Sequence, residues 1–294
     1  MIAPEITDEI FSDGEGDTAK TLPSRQATHL LVGSSSLAFD IETGPAEIET
    51  IRSLSKPYEP PPPPGDFDPA TVKTGNLKDP GKIMAKVAEA RQAHATAVKL
   101  HANKLANQEV EYWADLQEKA PLSPLVGRVL AIGVVDDEGN VSMKSVLRHH
   151  DDFGEAELLN WFWSEIFTPT VRQGRQLIGH NILDFDVPFL VRRSWILGVD
   201  VPPPVMSPNY RYVGDCWLDT RKVWECGTRG SNVPGNLDVL GRAFDLGGKT
   251  EGMSGSDFWK LFHTEAPDDR EKAMGYLARD VYLTVDVARQ FGLM

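Results

Sequence analysis

Along this chain, stretches of apolar alternation give way to apolar residues at helical spacing, and back again. Residues 1 to 28 have few periodic apolar positions and predict a polar, acidic, weakly ordered tail. "THLLVGSSSLAFDIET" carries strand character on both sides of a small-residue interruption. Residues 56–81 are rich in Pro and Gly and predict an extended, partly polyproline surface connection. From Lys82 to about Lys119 the chain is rich in Ala, Lys, Glu and Gln, which favours a long helix or a helical pair. Pro80 and Gly81 would open it and Pro121 would close it. "GRVLAIGVVDDEGNVSMKSVLRHH" predicts a hairpin turning at D-D-E-G-N.

The second half alternates more quickly. In "FGEAELLNWFWSEIF", Leu158, Leu159, Phe162 and Ile166 lie on one side of a predicted helix. "RQLIGHNILDFDVPFLVRRSWILGV" predicts a short strand running into a helix, and "YVGDCWLDTRKVW" a further strand. Short helices follow in "NLDVLGRAFDL" and "GSDFWKLF", and a strong helix in "DREKAMGYLARDVYLTVDVARQFG". Strands alternating with helices make this an α/β chain, without internal repeats.

Composition narrows the class. With 294 residues, 41% hydrophobic, the chain can bury a sizeable core in one large domain or two smaller ones. No apolar run reaches the roughly 20 residues that span a bilayer. The N-terminus lacks the basic-then-apolar pattern of a secretory leader. Cys216 and Cys226 are too few for a disulfide framework or a four-ligand zinc site. A reduced cytoplasmic setting, bacterial or phage-encoded, is the expectation. The net charge of −13 argues against general attraction to nucleic acid, yet enzymes that hold divalent cations need clustered carboxylates.

That need directs attention to "FDIET". Asp40 and Glu42 are two apart on a strand, so both point to the same face. Like charges that close repel unless something cationic lies between them. A metal or paired cation is one explanation; a strand end reaching solvent is the other. "GHNILDFDVPFL" adds Asp186, with Asp184 a rival, and His180 and Asn181 as helix caps or ligand contacts. "YLARD" sets Tyr276 and Asp280 one turn apart on a helix face, where a phenol beside a carboxylate can hold a water.

Taken in order, "FDIET", "NILDFD" and "YLARD" resemble the three motifs of the DEDD superfamily of 3′–5′ exonucleases, in its tyrosine branch. The proofreading domains of family B DNA polymerases are the most similar in pattern, and "NLDVLGRAFDLGGK" looks like the segment they carry before the third motif. The resemblance covers about 34–54 and 122–292, leaving 55–120 as a Pro-rich and helical insertion in an exonuclease domain spanning 29–294. It implies a ribonuclease H-like mixed sheet flanked by helices. It implies two Mg²⁺ or Mn²⁺ ions held by Asp40, Glu42, Asp186 and Asp280, with Tyr276 orienting a water. It implies hydrolysis at the 3′ end of DNA, expected to be single-stranded, releasing 5′-nucleoside monophosphates, with a polymerase or repair protein as partner. Asn181, His180 and Phe185 are the expected substrate contacts, Phe185 doubling as core packing. Tyr210, Arg211, Tyr212 and Trp217 are further contributors, and Trp217 also suits a core. RNA trimming and a nuclease-like binding module are the alternatives. The excess of Lys and Arg after Lys82 reads either as a guide for a phosphate backbone or as a solvated helix face.

Overall fold

Strand β1 (Leu37–Pro45) is flanked on both sides, and its apolar residues Ala38, Phe39 and Ile41 are buried. A strand buried on both faces belongs in the middle of a sheet. In the computed structural model, which describes residues 36–147, 151–206, 214–228, 234–248, 253, 255–264 and 266–294, it is the central one of five. β2 (Gly127–Val135) runs antiparallel to β1, and β3 (Val141–Ser145) antiparallel to β2. On the other side β4 (Leu177–Gly179) and β5 (Trp217–Asp219) run parallel to β1 and to each other. The order β3-β2-β1-β4-β5 is that of a ribonuclease H-like mixed sheet. The predicted tail, the strand signal before residue 36, and Tyr210, Arg211 and Tyr212 lie outside the described residues.

The hairpin turns where expected: Asp136 Oδ1 accepts from the amides of Glu138 and Asn140 at 3.0 and 2.8 Å, and Gly139 takes φ +89°. Side chains on a strand alternate in direction, so Phe39 and Asp40 face opposite layers. Phe39 packs on Phe162 and Trp217, with ring centroids 5.3 and 5.6 Å away. Trp217 is therefore core, its indole N–H donating to the Val205 carbonyl. The Asp40 face meets α9 (Pro267–Gln290), the strong C-terminal helix.

Three elements depart from the sequence reading. α1 (Ile48–Leu54) forms directly after β1, a short helix carried by the single buried Ile51. The helix of residues 152–172 is not uniform: α3 (Asp152–Trp161) loosens into a π-helical turn over Phe162–Phe167 before α4 (Thr168–Arg172). The extra residue in that turn brings Phe162, Trp163 and Phe167 all inward, leaving Ile166 half-buried. Among the described residues, the strand predicted in "YVGDCWLDTRKVW" covers Trp217–Asp219 and ends there because Asp219 accepts from the amides of Arg221 and Lys222 and caps α6 (Thr220–Glu225). The region 82–119 is one helix, α2 (Pro80–Lys119), capped by Asp79. Among the described residues no helix is long and apolar enough to cross a membrane.

A buried ion network fixes the layer opposite α9. Glu155, fully buried, accepts from Val129 N at 2.8 Å, from Arg193 Nε at 2.8 Å and from Arg193 Nη2 at 2.7 Å. Arg128 Nε stands 3.5 Å from the same carboxylate and its Nη2 pairs with Asp152. Arg193 belongs to α5 (Asp186–Leu197), so one carboxylate joins β2, α3 and α5. Removing one partner of such a pair leaves an uncompensated buried charge. Glu155→Ala is expected to cost about 3–5 kcal/mol, read from the urea midpoint; a loss under about 1 kcal/mol would contradict this account.

Candidate metal centre

Asp40 and Glu42 emerge on the same face of β1, and the face is set by pairing with β2. Asp40 stands opposite Gly133, and a side chain there would meet Leu277 Cγ and Val281 Cγ2 of α9, both at 3.0 Å. Gly133 thus lets α9 lie close against the sheet. Leu277 and Val281 flank Asp280 on that helix, so the same contact delivers Asp280 to Asp40. A β-bulge follows at once: Glu42 pairs with Ala131 and Thr43 with Val129, leaving Leu130 as the extra residue. Bulges re-aim side chains and recur beside active sites.

The result is a cluster. Ligand oxygens of Asp40, Glu42 and Asp280 all lie within 4.8 Å of one another. Glu42 and Asp280 are buried and Asp40 is half-buried. Three hard oxygen donors at this spacing suit a divalent cation such as Mg²⁺ or Mn²⁺, and the three residues could hold one. Tyr276 is buried one turn before Asp280 on α9, with its ring in the main core.

Asp186 completes the acidic group from the other side. It is the first residue of α5, buried, and its Oδ1 accepts from Ile41 N at 3.3 Å, in the amide between the two β1 acids. Burial pushes its carboxyl up to about 7. The charge of Asp219 pushes the same way, while amide hydrogen bonds from Ile41 and its own backbone, and a side-chain hydrogen bond with Asp40, oppose the rise. Asp184 is no rival: its side chain is mostly exposed and pairs with Lys222 Nζ at 2.7 Å.

The turn into Asp186 corrects one expectation. His180 and Asn181 do not cap α5, whose N-cap position is Phe185. Asn181 instead takes a left-handed backbone, φ +66°, which Asn tolerates better than most residues, and its carbonyl accepts from the amides of Asp184 and Phe185. Thr220 donates its one hydroxyl proton to Gly179 O at 3.1 Å, so at 3.0 Å His180 Nδ1 is the donor to Thr220 Oγ1. Phe185 is half-buried and packs on Phe189, centroids 5.5 Å apart.

Sequence reasoning missed Asp219, the residue that shapes this turn. Its buried carboxylate accepts from Asn181 N at 2.8 Å and Leu183 N at 3.0 Å while capping α6 through Arg221 N at 2.9 Å. The available clue was an acid ending an apolar triplet and preceding Thr-Arg-Lys, the pattern of a strand that leads into a capped helix.

Comparison with known proteins gives little to add. No family model matches the chain, and no curated protein does. Among solved structures, the family B DNA polymerase of the hyperthermophilic archaeon Pyrobaculum calidifontis is similar over 59% of this chain, at 21% identity and a TM-score of 0.43. The chain spans 23% of that polymerase's length. A likeness this loose assigns no activity.

Asp186 makes the metal-free protein sensitive to pH. Between about pH 4 and pH 7 the folded protein keeps a proton on Asp186 that the unfolded chain has released. Stability in EDTA should therefore fall as pH rises through that window and level off above it. Thermal melts should show Asp186→Asn flattening that fall, and Mn²⁺ restoring stability to the wild type near neutrality. An identical slope in wild type and variant would contradict the assignment.

Proposed function

We propose that this chain is a metal-dependent 3′–5′ exonuclease that removes nucleotides from the 3′ end of single-stranded DNA. The observation that carries this reading is the convergence of Asp40, Glu42 and Asp280, distant in sequence, within 4.8 Å of one another. Asp186 stands beside them, bonded to the Ile41 amide. Solvated surface acids do not need a glycine cleared from the sheet to bring them together.

Asp40, Glu42 and Asp280 are the residues that would hold a first divalent ion, and Asp40 with Asp186 a second. When bound, such ions stabilise charge on the attacking and leaving oxygens of an in-line displacement at phosphorus. The residues of the chain contribute orientation and exclusion. The Tyr276 hydroxyl, a turn before Asp280, holds the attacking water by hydrogen bond. Water adds to phosphorus, the 3′-oxygen of the penultimate nucleotide leaves and is protonated, and a 5′-nucleoside monophosphate departs. Asn181, His180 and Phe185, on the turn into Asp186, form the side against which the terminal nucleotide rests. A nucleotide-polymerising protein or a repair protein would be a natural partner for such a trimming activity.

The test is cleavage of 3′-labelled and 5′-labelled single-stranded DNA with Mg²⁺, Mn²⁺ or EDTA. Metal-dependent shortening from the 3′ end is expected. Asp40→Ala and Asp280→Ala should each lose at least about 1,000-fold, the equivalent of several kcal/mol of lost ion stabilisation. Tyr276→Phe should lose roughly a hundredfold. No metal-dependent shortening of DNA in the wild type would contradict the proposal, and shortening of RNA alone would move the substrate.

A further inference from the structure

The Pro-rich segment and the long helix between β1 and β2 pack on each other. Tyr58 lies 5.6 Å from Tyr112 by ring centroids, and Tyr112 Oη donates to Lys56 O at 2.7 Å. Farther along, Phe67 lies 5.6 Å from the His94 ring, and His94 Nε2 stands 2.6 Å from Gly65 O. The Arg91 guanidinium sits 5.5 Å over Phe67. The segment therefore runs antiparallel to α2, and the lengths agree. From His94 to Tyr112 the helix rises about 27 Å; from Tyr58 to Phe67 a polyproline II chain extends about 28 Å. Tyr58, Pro64 and Phe67 are half-buried at multiples of three, the repeat of that helix. On α2 the matching half-buried stripe is Ile83, Val87, Ala90, His94, His101 and Tyr112.

This strap stiffens a helix of about 60 Å that meets the rest of the fold mainly near its C-terminal end, through α1, β1 and the turn at Ala120–Leu122. The strap covers one stripe and leaves the other faces open. Their charge is segregated. Over residues 69–108 there are seven Lys and Arg against Asp79 and Glu89, in a chain whose net charge is −13, while the strap at 56–68 carries Glu59, Asp66 and Asp68 against Lys56. Asp79 is engaged with the amides of Gly81 and Lys82, at the positive end of the helix dipole. Lys82, Lys86, Lys99 and Lys104 are exposed. Four of the five acids of α2, Glu109, Glu111, Asp115 and Glu118, lie in its last three turns, Glu118 pairing with Lys260 at 2.9 Å.

We propose that this strap-braced arm binds the phosphate backbone of single-stranded DNA and holds the strand whose 3′ end enters the acidic centre. The choice of DNA rests on reading that centre as an exonuclease site. A chain this acidic repels a polyanion in general, so a local excess of cations such as that of 69–108 favours where a strand can settle. Rigidity adds to the effect, because cations held on a braced helix lose little freedom when a strand settles on them.

The test measures binding by the full-length protein, in EDTA so that nothing is cleaved, to fluorescent 30-residue and 4-residue oligothymidylates over a range of NaCl concentrations. The comparison protein carries Lys82→Gln, Lys86→Gln, Lys99→Gln and Lys104→Gln, changes that keep helix propensity. Circular dichroism should match wild type. Affinity for the 30-mer should fall on the order of tenfold to a hundredfold at low salt, with the salt slope shallower by about 3 for four lost single-strand contacts. Affinity for the 4-mer should not change. Unchanged 30-mer affinity and slope, or equal losses for both lengths, would overturn the arm. A 30-mer of RNA bound more than about tenfold tighter than DNA would overturn the choice of strand. Because no cleavage is read, an arm that fails here leaves the exonuclease proposal standing, and an inactive centre leaves the arm result interpretable.

Discussion

Everything at this centre depends on the close approach of α9 to the sheet at Gly133. A methyl group there would press on Leu277 and Val281 at 3.0 Å, and the helix would have to move outward. Moving it would withdraw Asp280 from Asp40 and Glu42. The approach has a cost that the sheet alone does not offset. It packs carboxylates together in a buried place, where each repels the others and none has enough water. Beside this group, burial first and then the charge of Asp219 raise the carboxyl of Asp186 to about 7. A divalent ion among these acids would relieve their repulsion.

Two further carboxylates hold the surrounding backbone in place. Glu155 joins β2 to α3 and α5 through Val129 N and Arg193, so the helix that begins with Asp186 is anchored two turns farther along. Asp219 gathers the amides of Asn181 and Leu183 and fixes the turn that leads into the same helix. One residue sets the direction of α5, the other its entry. Both hold backbone amides, and Glu155 also the Arg193 guanidinium.

Much of this was legible in the sequence because the relevant contacts repeat with the period of a single element. Asp40 and Glu42 share a face by strand alternation, and Tyr276 and Asp280 by one helical turn. The α/β order, the hairpin at 136–140 and the start of α2 at Pro80 follow from equally local rules. What was not legible came from contacts across the fold. The π-helical turn at Phe162–Phe167 buries three aromatic rings, Phe162 against Phe39, Phe167 against Trp217 and Trp163 between the two phenylalanines, a demand of the core. Asp219 serves amides 36 and 38 residues earlier in the chain, and the local pattern around it marks only its capping of α6. His180 and Asn181 look like caps in sequence, but the backbone at Asn181 turns left-handed before any helix begins. The proline run reads in sequence as an extended, partly polyproline connection, and the helix it lies on could not be read there.

The central claim is that Asp40, Glu42 and Asp280 together hold a divalent ion. Mn²⁺ titration of wild type and Asp280→Asn, followed by electron paramagnetic resonance of the free ion, tests it most directly. The account predicts that the wild type takes up Mn²⁺ and that the variant binds it at least about tenfold more weakly, with its fold intact by circular dichroism. Equal uptake by both proteins, or none by the wild type at millimolar Mn²⁺, would contradict it.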